Sequence, residues 1–153
     1  MQKNINIQNK KARFEFEILD KFVAGIQLTG TEIKSIRLSQ ARITESFCEF
    51  NERGELFIVN MYIQEYMFGH HFNHKPKSER RLLLNKRELR SLKKDVEAKG
   101  NTIVPLRLFI NDRGFAKLEI ALAKGKQTHD KRNTLKDRDN KRDLARIKKN
   151  FNA

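Results

Sequence analysis

The sequence predicts a mainly β protein: an OB-like small β-barrel with flanking helices, followed by a basic C-terminal tail that is disordered when free. About six short β-rich runs, with a short helix after the second and a longer helix before the last hairpin, are typical of such a barrel. A five- or six-stranded α+β sandwich would give the same pattern. We therefore divide the chain into a flexible basic N-terminus (1–12), the barrel (13–123) and the tail (124–153).

The first elements follow from alternation and capping. Residues 13–18 alternate strictly between polar and apolar side chains, which predicts a half-buried strand. Asp20, Lys21 and Gly25 mark a possible reversal, after which residues 25–28 resume the alternation. Thr31 then starts a short helix that directs Lys34 and Arg37 outward.

Two further β-rich runs, 46–50 and 56–63, flank a hairpin-like turn at 51–54. A long polar connection follows, over about 64–80, and its segment GHHFNHKPKSERR carries three histidines and four basic residues. Connections longer than about 12 residues within a domain are usually functional or disordered, so we expect a binding loop.

The clearest helix begins at Asn85, whose side chain caps it in a box with Glu88. Leu89, Leu92 and Val96 form its apolar stripe, and Gly100 ends it. The last hairpin joins strands 102–110 and 115–122 through a turn at 111–114. Pro105 predicts an edge or a bulge in the first of these strands.

Charge indicates a polyanionic partner. The chain carries +14, and the last thirty residues hold 11 Lys or Arg and 4 Asp, which is +7 of that total. The tail has too few apolar residues to fold alone, but it permits a helix on a polyanion. A plain solvated tail is the alternative. Nucleic acid is favoured over a membrane, because the chain has no apolar run of about 18 residues. The absence of a secretory signal and the single cysteine predict a cytoplasmic protein.

Catalytic and metal motifs are weak. His70, His71 and His74 invite a zinc site, but a closed site needs a fourth ligand. Cys48 falls within a predicted strand and is expected to be a small buried residue rather than a nucleophile. No phosphate-binding loop or nucleophile elbow is present. We predict no enzyme activity, cofactor or metal, and keep a metal-dependent nuclease using the histidine loop as a rival hypothesis.

Four blocks carry a family resemblance: NKKARFEFEIL, AGIQLTGTEIKSIR, FNHKPKSERRLLLNKREL and AKGKQTHDKRNTLKDRD. In this order and spacing they resemble the SmpB (SsrA-binding protein) family. The resemblance implies an OB-like barrel that binds the tRNA-like domain of transfer-messenger RNA and delivers it to stalled ribosomes. It also implies elongation factor Tu and alanyl-tRNA synthetase as partners through the RNA. The tail would become helical in the messenger channel of the small subunit, beyond the decoding centre.

The expected RNA-binding residues combine this resemblance with the exposed basic positions. Leu83, Asn85 and Lys117 match the family's RNA-facing positions, while Val23 replaces an acidic residue that the family commonly has there. Asp20 is one neighbour that could take over this contact. The full RNA-binding set is Arg13, Lys34, Arg37, Arg80, Arg81, Leu83, Asn85 and Lys117. The ribosome-binding set in the tail is Lys124, Lys126, His129, Asp130, Lys131, Arg132, Lys136 and Arg138.

A second hypothesis stays open within nucleic-acid binding. A ribosomal or initiation-factor-like OB protein, bound to structured RNA without transfer-messenger RNA, would share the fold and the charge. Selective binding to the tRNA-like domain separates the two hypotheses. In either case we expect a monomer.

Overall fold

The computed structural model describes residues 4–98 and 100–126. Its elements, in chain order, are β1 (Asn6–Gln8), α1 (Lys10–Glu15), β2 (Phe16–Ile26), α2 (Gly30–Arg37), β3 (Ala41–Arg42), β4 (Phe47–Phe50), β5 (Leu56–Val59), β6 (Tyr62–Ile63), a 3₁₀ turn (His70–Phe72), β7 (Arg80–Leu83), α3 (Lys86–Glu97), β8 (Asn101–Ile110) and β9 (Ala116–Gly125). Within the described part of the chain, no helix is long and apolar enough to cross a membrane.

Six strands close into an antiparallel ring. Their order is β8, β4, β5, β7, β2 and β9, and β9 pairs back onto β8. β1 extends the sheet beside the second half of β8, while β3 and β6 form a separate pair. The predicted barrel is confirmed, and the closed ring excludes the sandwich.

The barrel core contains the inward side chains of alternating strand positions. Leu118 and Ile120 of β9 are fully buried in the same cluster as Ile58 of β5. α2 and α3 add Ile36 and Leu92 to this cluster. Burying a side chain of this size contributes about 1.5–3 kcal/mol, so this cluster accounts for much of what holds the ring closed.

Residues 6–12 belong to the fold, which corrects the prediction of a flexible segment for this part of 1–12. Residues 6–8 form β1, and Asn9 caps α1 by accepting from the Ala12 N–H at 3.2 Å. The Asn9 amide also donates to the Pro105 carbonyl at 2.9 Å. Ala12 packs into a second buried cluster with Leu106. Residues 13–15 are therefore helical, because this cap and contact outweigh the alternation that predicted a strand.

β2 is one continuous strand. No reversal occurs between Asp20 and Gly25, because β2 pairs with β9 along its length and absorbs the irregularity as a register shift between Ile18 and Asp20. A second shift, between Pro105 and Arg107 in β8, confirms the predicted bulge.

The other predicted element boundaries agree with the structure in some places and differ in others. The box of Asn85 and Glu88 that starts α3 is confirmed. α2 instead starts after Thr29, whose N–H donates to Glu32 at 2.9 Å, and not at Thr31. β7 is a strand that the sequence patterns did not predict. β9 extends to Gly125, so the tail boundary at 124 falls inside a strand.

Candidate nucleic-acid interface

Three neighbouring strands bring two of the predicted RNA-facing residues together on the outside of the barrel. Gly25 of β2 is opposite Leu83 of β7 on one side and Lys117 of β9 on the other. A Cβ placed on Gly25 would lie 3.4 Å from Leu83 Cβ and 3.6 Å from Lys117 Nζ. Phe109 of β8 is opposite Lys117 and extends the row. We call these four residues the Lys117 face.

The chemistry of the Lys117 face suits a phosphate backbone. Among the described residues, no carboxylate lies within ion-pair distance of the Lys117 ammonium. Leu83 is half exposed beside it, and Gly25 leaves a gap through which another backbone can approach closely. The face thus offers an uncompensated positive charge next to an apolar floor.

A second row runs parallel to the first. Glu119 of β9 is opposite Val23 and Arg107. Its carboxylate accepts from Arg107 Nε at 3.2 Å and lies 4.0 Å from the guanidinium of Arg13. The Arg107 guanidinium also sits 4.1 Å from the centre of the Phe109 ring. Glu119 thereby places two arginines beside the Lys117 face.

This second row includes Val23, the position at which the sequence has no acidic residue where the family resemblance led us to expect one. Val23 is half exposed, and the carboxylate directly across from it is Glu119. Asp20 lies three positions along β2, where its carboxylate accepts from the Lys21 N–H at 2.9 Å. Glu119, rather than Asp20, is therefore the acidic group nearest in register to Val23.

Asn85 is exposed two residues beyond Leu83, at the start of α3. Its side-chain oxygen accepts from the Glu88 N–H at 2.8 Å, which is the capping role expected from the sequence. An exposed helix start presents N–H donors to anions, so capping and RNA contact are compatible at this residue.

Arg80 is not available to RNA, which corrects its place in the predicted set. Its side chain is 2% exposed and is paired with the buried carboxylate of Glu32. The guanidinium also donates to the Met61 carbonyl at 2.8 Å and to the Pro76 carbonyl at 3.1 Å. The position adjacent in sequence alternates outward, so Arg81 is exposed and lies 3.0 Å from Glu55.

Lys34 and Arg37 lie on α2, a different element from those that form the Lys117 face. The Lys34 ammonium lies 5.4 Å from the centre of the Tyr66 ring, which belongs to the connection between β6 and β7. α2 and this connection therefore share one surface.

His70, His71 and His74 do not gather into a metal-binding group. Among residues 4–98 and 100–126, no group of three His, Cys, Asp or Glu side chains could hold a metal ion. His74 is bonded to the Thr31 hydroxyl and to the Ile63 carbonyl, both at 2.9 Å, whereas His70 and His71 lie in the 3₁₀ turn. Cys48 is buried, and burial raises the pKa of its thiol, so it is the inert residue that the sequence predicts.

Only two members of the tail set lie within the described residues. Lys124 is an exposed strand residue opposite Glu17 and Asn101, and the Lys126 N–H donates to the Glu15 carbonyl at 3.0 Å. The predicted positions 129–138 and the predicted change from disorder to helix lie outside the described residues.

Sequence reasoning missed Gly25, Phe109, Arg107 and Glu119. A signal for three of them exists: the turn at 111–114 fixes the register of the last hairpin, which places 109 opposite 117 and 107 opposite 119. Gly25 carries the signal of a lone glycine inside a strand, where another backbone approaches.

Comparison with known proteins gives consistent matches. The family model described as SmpB protein matches residues 6–150. The SsrA-binding protein of Flavobacterium psychrophilum is 68% identical, covering 99% of this chain and 100% of its own length. The SsrA-binding protein of Bacteroides thetaiotaomicron is 51% identical over 95% of this chain and 97% of its own. A solved structure described as "tmRNA-SmpB: a journey to the center of the bacterial ribosome" contains a chain with a TM-score of 0.68 and 46% identity. That match covers 81% of this chain and 86% of the other.

Proposed function

The chain belongs to the SmpB protein family, and on that premise we propose that it binds transfer-messenger RNA and carries it to stalled ribosomes. The observation that carries this proposal is the 68% identity to an SsrA-binding protein along essentially the full length of both chains. The solved relative, whose description names tmRNA-SmpB and the bacterial ribosome, supports the same two partners.

The barrel is the part of the chain that we assign to the tRNA-like domain. Folded RNA is recognised through its backbone and shape, and phosphate contacts fix a protein's orientation without reading sequence. The Lys117 face has the composition for such contacts: an unpaired ammonium among the described residues, an apolar side chain and a gap at Gly25. Asn85 and Arg13 border it, and Arg81 is the exposed neighbour of the buried Arg80.

The remaining assignments extend this role. We assign the segment 127–153 to the decoding centre and the messenger channel, on the strength of its positive charge. Elongation factor Tu and alanyl-tRNA synthetase would act on the same RNA, and the protein would work in the cytoplasm, where bacterial ribosomes are. As an adaptor it would act as a monomer and perform no chemistry of its own.

A competition titration tests the proposal. Labelled tRNA-like domain is bound at about 0.15 M salt, the ionic strength of the cell, and challenged with unlabelled domain, ordinary tRNA and an unstructured RNA of equal length. We expect only the unlabelled domain to compete. Equal competition by all three would mean generic RNA binding, and the ribosomal-protein hypothesis would replace this one.

The division between barrel and tail is tested by ending the chain after Lys126, which keeps every described element. We expect affinity for the tRNA-like domain to stay within a few-fold of the full chain, and tagging of stalled polypeptides to be abolished. Loss of both activities would refute the division.

A further inference from the structure

The connection between β6 and β7, residues 64–79, exposes a group of large apolar side chains. We call this segment the aromatic loop. Met67 is 74% exposed, Phe68 67% and Phe72 91%. Tyr66 and Phe68 stack edge to face, with their ring centres 5.7 Å apart. Clustered exposed apolar residues on a folded domain usually mark a binding surface.

The aromatic loop is held in place by buried and half-buried polar contacts. The Asn73 amide accepts from the Tyr66 N–H at 3.0 Å and donates to the Tyr66 carbonyl at 2.7 Å. His74 ties the loop to Thr31 and Ile63, and the buried Arg80 binds the carbonyls of Lys75 and Pro76. These contacts order the segment before any ligand arrives, which lowers the entropic cost of binding.

Backbone conformation at the tip agrees with this ordering. His70 has a φ of +47°, a left-handed conformation that costs a non-glycine residue free energy unless its surroundings enforce it. A Cβ on Gly69 would lie 2.6 Å from Asn73 Nδ2, so any larger residue there would displace the Asn73 side chain from its bridge to Tyr66. The His70 conformation and the close approach of Asn73 to Gly69 are what an ordered loop tip would show.

A cleft of about 520 Å³ opens at the base of the loop, lined by Tyr62, Tyr66, Met67 and His70, with Gln64 and Glu65 at its polar side. Both tyrosines carry a cation over the ring: Lys34 lies 5.4 Å from the Tyr66 ring centre, and Arg42 4.7 Å from that of Tyr62. Cleft volumes of about 300–1,000 Å³ are typical of sites for small organic groups, and a nucleobase is of that class.

The charges around the aromatic loop indicate which kind of ligand it would bind. Lys34 lies against Tyr66 of the loop and Arg42 against the adjoining Tyr62, and within the loop Lys75 and Lys77 balance Glu65 and Glu79. The surroundings are therefore positive while the loop itself is neutral and aromatic. Aromatic rings combined with flanking cations suit unpaired bases of RNA, which stack on the rings while the phosphates meet the cations.

We propose that the aromatic loop is a second RNA-binding site, which stacks unpaired bases on Phe68, Phe72 and the tyrosine cleft. It shares no residue with the Lys117 face. This inference rests on the proposed function and specifies the kind of RNA feature that a second surface recognises: unstacked bases rather than the shape of a duplex.

A single tryptophan gives a direct readout. The chain has no Trp, so a Phe72→Trp variant of the full-length protein carries one reporter at a site where the side chain is almost fully exposed. The variant is titrated separately with transfer-messenger RNA and with small ribosomal subunits, and complex formation is followed independently by sedimentation. We expect strong quenching of the tryptophan emission in at least one complex, because stacking on a base quenches indole.

The two proposals fail differently. If complexes form and the emission does not change in either, the second site is refuted and the proposed function stands. If no complex forms, the proposed function fails. A brighter, blue-shifted emission would show that the ring enters an apolar protein surface, and would also overturn the RNA assignment.

A second experiment compares the RNA affinity of two matched Phe→Leu variants. Phe72→Leu keeps an apolar side chain but removes the ring. We expect it to weaken, by about tenfold, the complex in which the tryptophan reporter is quenched, which is the value of one stacked base. Phe47→Leu makes the same exchange on β4, at another exposed phenylalanine, and should leave affinity unchanged. Equal effects of the two substitutions would refute base stacking at the loop.

Discussion

The Lys117 face and the aromatic loop present similar kinds of side chain, yet the fold positions them by different means. On the Lys117 face, strand register places Leu83, Gly25 and Lys117 side by side, so backbone ladders alone align the group. The aromatic loop has no ladder. Asn73, His74 and Arg80 hold it through side-chain bonds to backbone groups and a hydroxyl. The two sites should therefore respond differently to substitution. Binding at the strand site should depend mainly on the exposed residues that contact RNA. Binding at the loop site should also depend on the polar residues that hold the loop in its conformation.

The largest expected effect is at Arg80. Arg80→Ala leaves the buried Glu32 carboxylate without its partner, and breaking a buried pair in this way costs about 3–5 kcal/mol of unfolding free energy. Urea unfolding measures the change. Arg81→Ala is the matched control, since the exposed pair with Glu55 is worth about 0–1 kcal/mol. Similar losses for both arginines would contradict the distinction between buried and exposed positions.

At Asn73 the expected effect is smaller and local. Asn73→Ala removes both bonds to the Tyr66 backbone, at a cost of about 1–3 kcal/mol, and should speed chymotryptic cleavage at the aromatic loop more than it lowers global stability. Asn73→Asp keeps the acceptor and loses the donor, so its cleavage rate should be intermediate. If cleavage stays as slow as in the parent chain, Asn73 does not hold the loop.

Lys117→Ala tests whether the Lys117 face contacts RNA phosphate. Removing one phosphate contact should weaken binding of the tRNA-like domain and reduce the slope of log affinity against log salt by about one, with stability unchanged. Arg53→Ala removes the same charge from the turn between β4 and β5, across the ring from β9, and should leave the slope as it was. An unchanged slope for Lys117→Ala would remove this residue from the interface.

Gly25→Ala is expected to have only a small effect on the fold. The added Cβ would meet Leu83 and Lys117 at ordinary contact distance, so the free energy of unfolding should change by less than about 1 kcal/mol. RNA titration then reports whether the gap itself is used. A larger loss of stability would show that the three strands are packed more tightly than this geometry indicates.

Local chemistry determined much of this protein from the sequence alone. The capping box at Asn85, the turn at 111–114 and the bulge at Pro105 are set by a few adjacent residues, and each was predicted where it occurs. The four sequence blocks were also sufficient for the family resemblance, which the match over residues 6–150 confirms.

Contacts between distant segments decided the rest. Residues 13–15 have a strand-like pattern, but Asn9 and the packing of Ala12 against β8 make them helical. Arg80 and Arg81 are equivalent in composition, and only the pairing of β7 with its neighbours turns one to Glu32 and the other to solvent. Local propensity is encoded by residues that are neighbours in the chain. Burial and strand register are set by residues that meet only when the barrel closes, and the positions of both candidate RNA sites follow from these contacts.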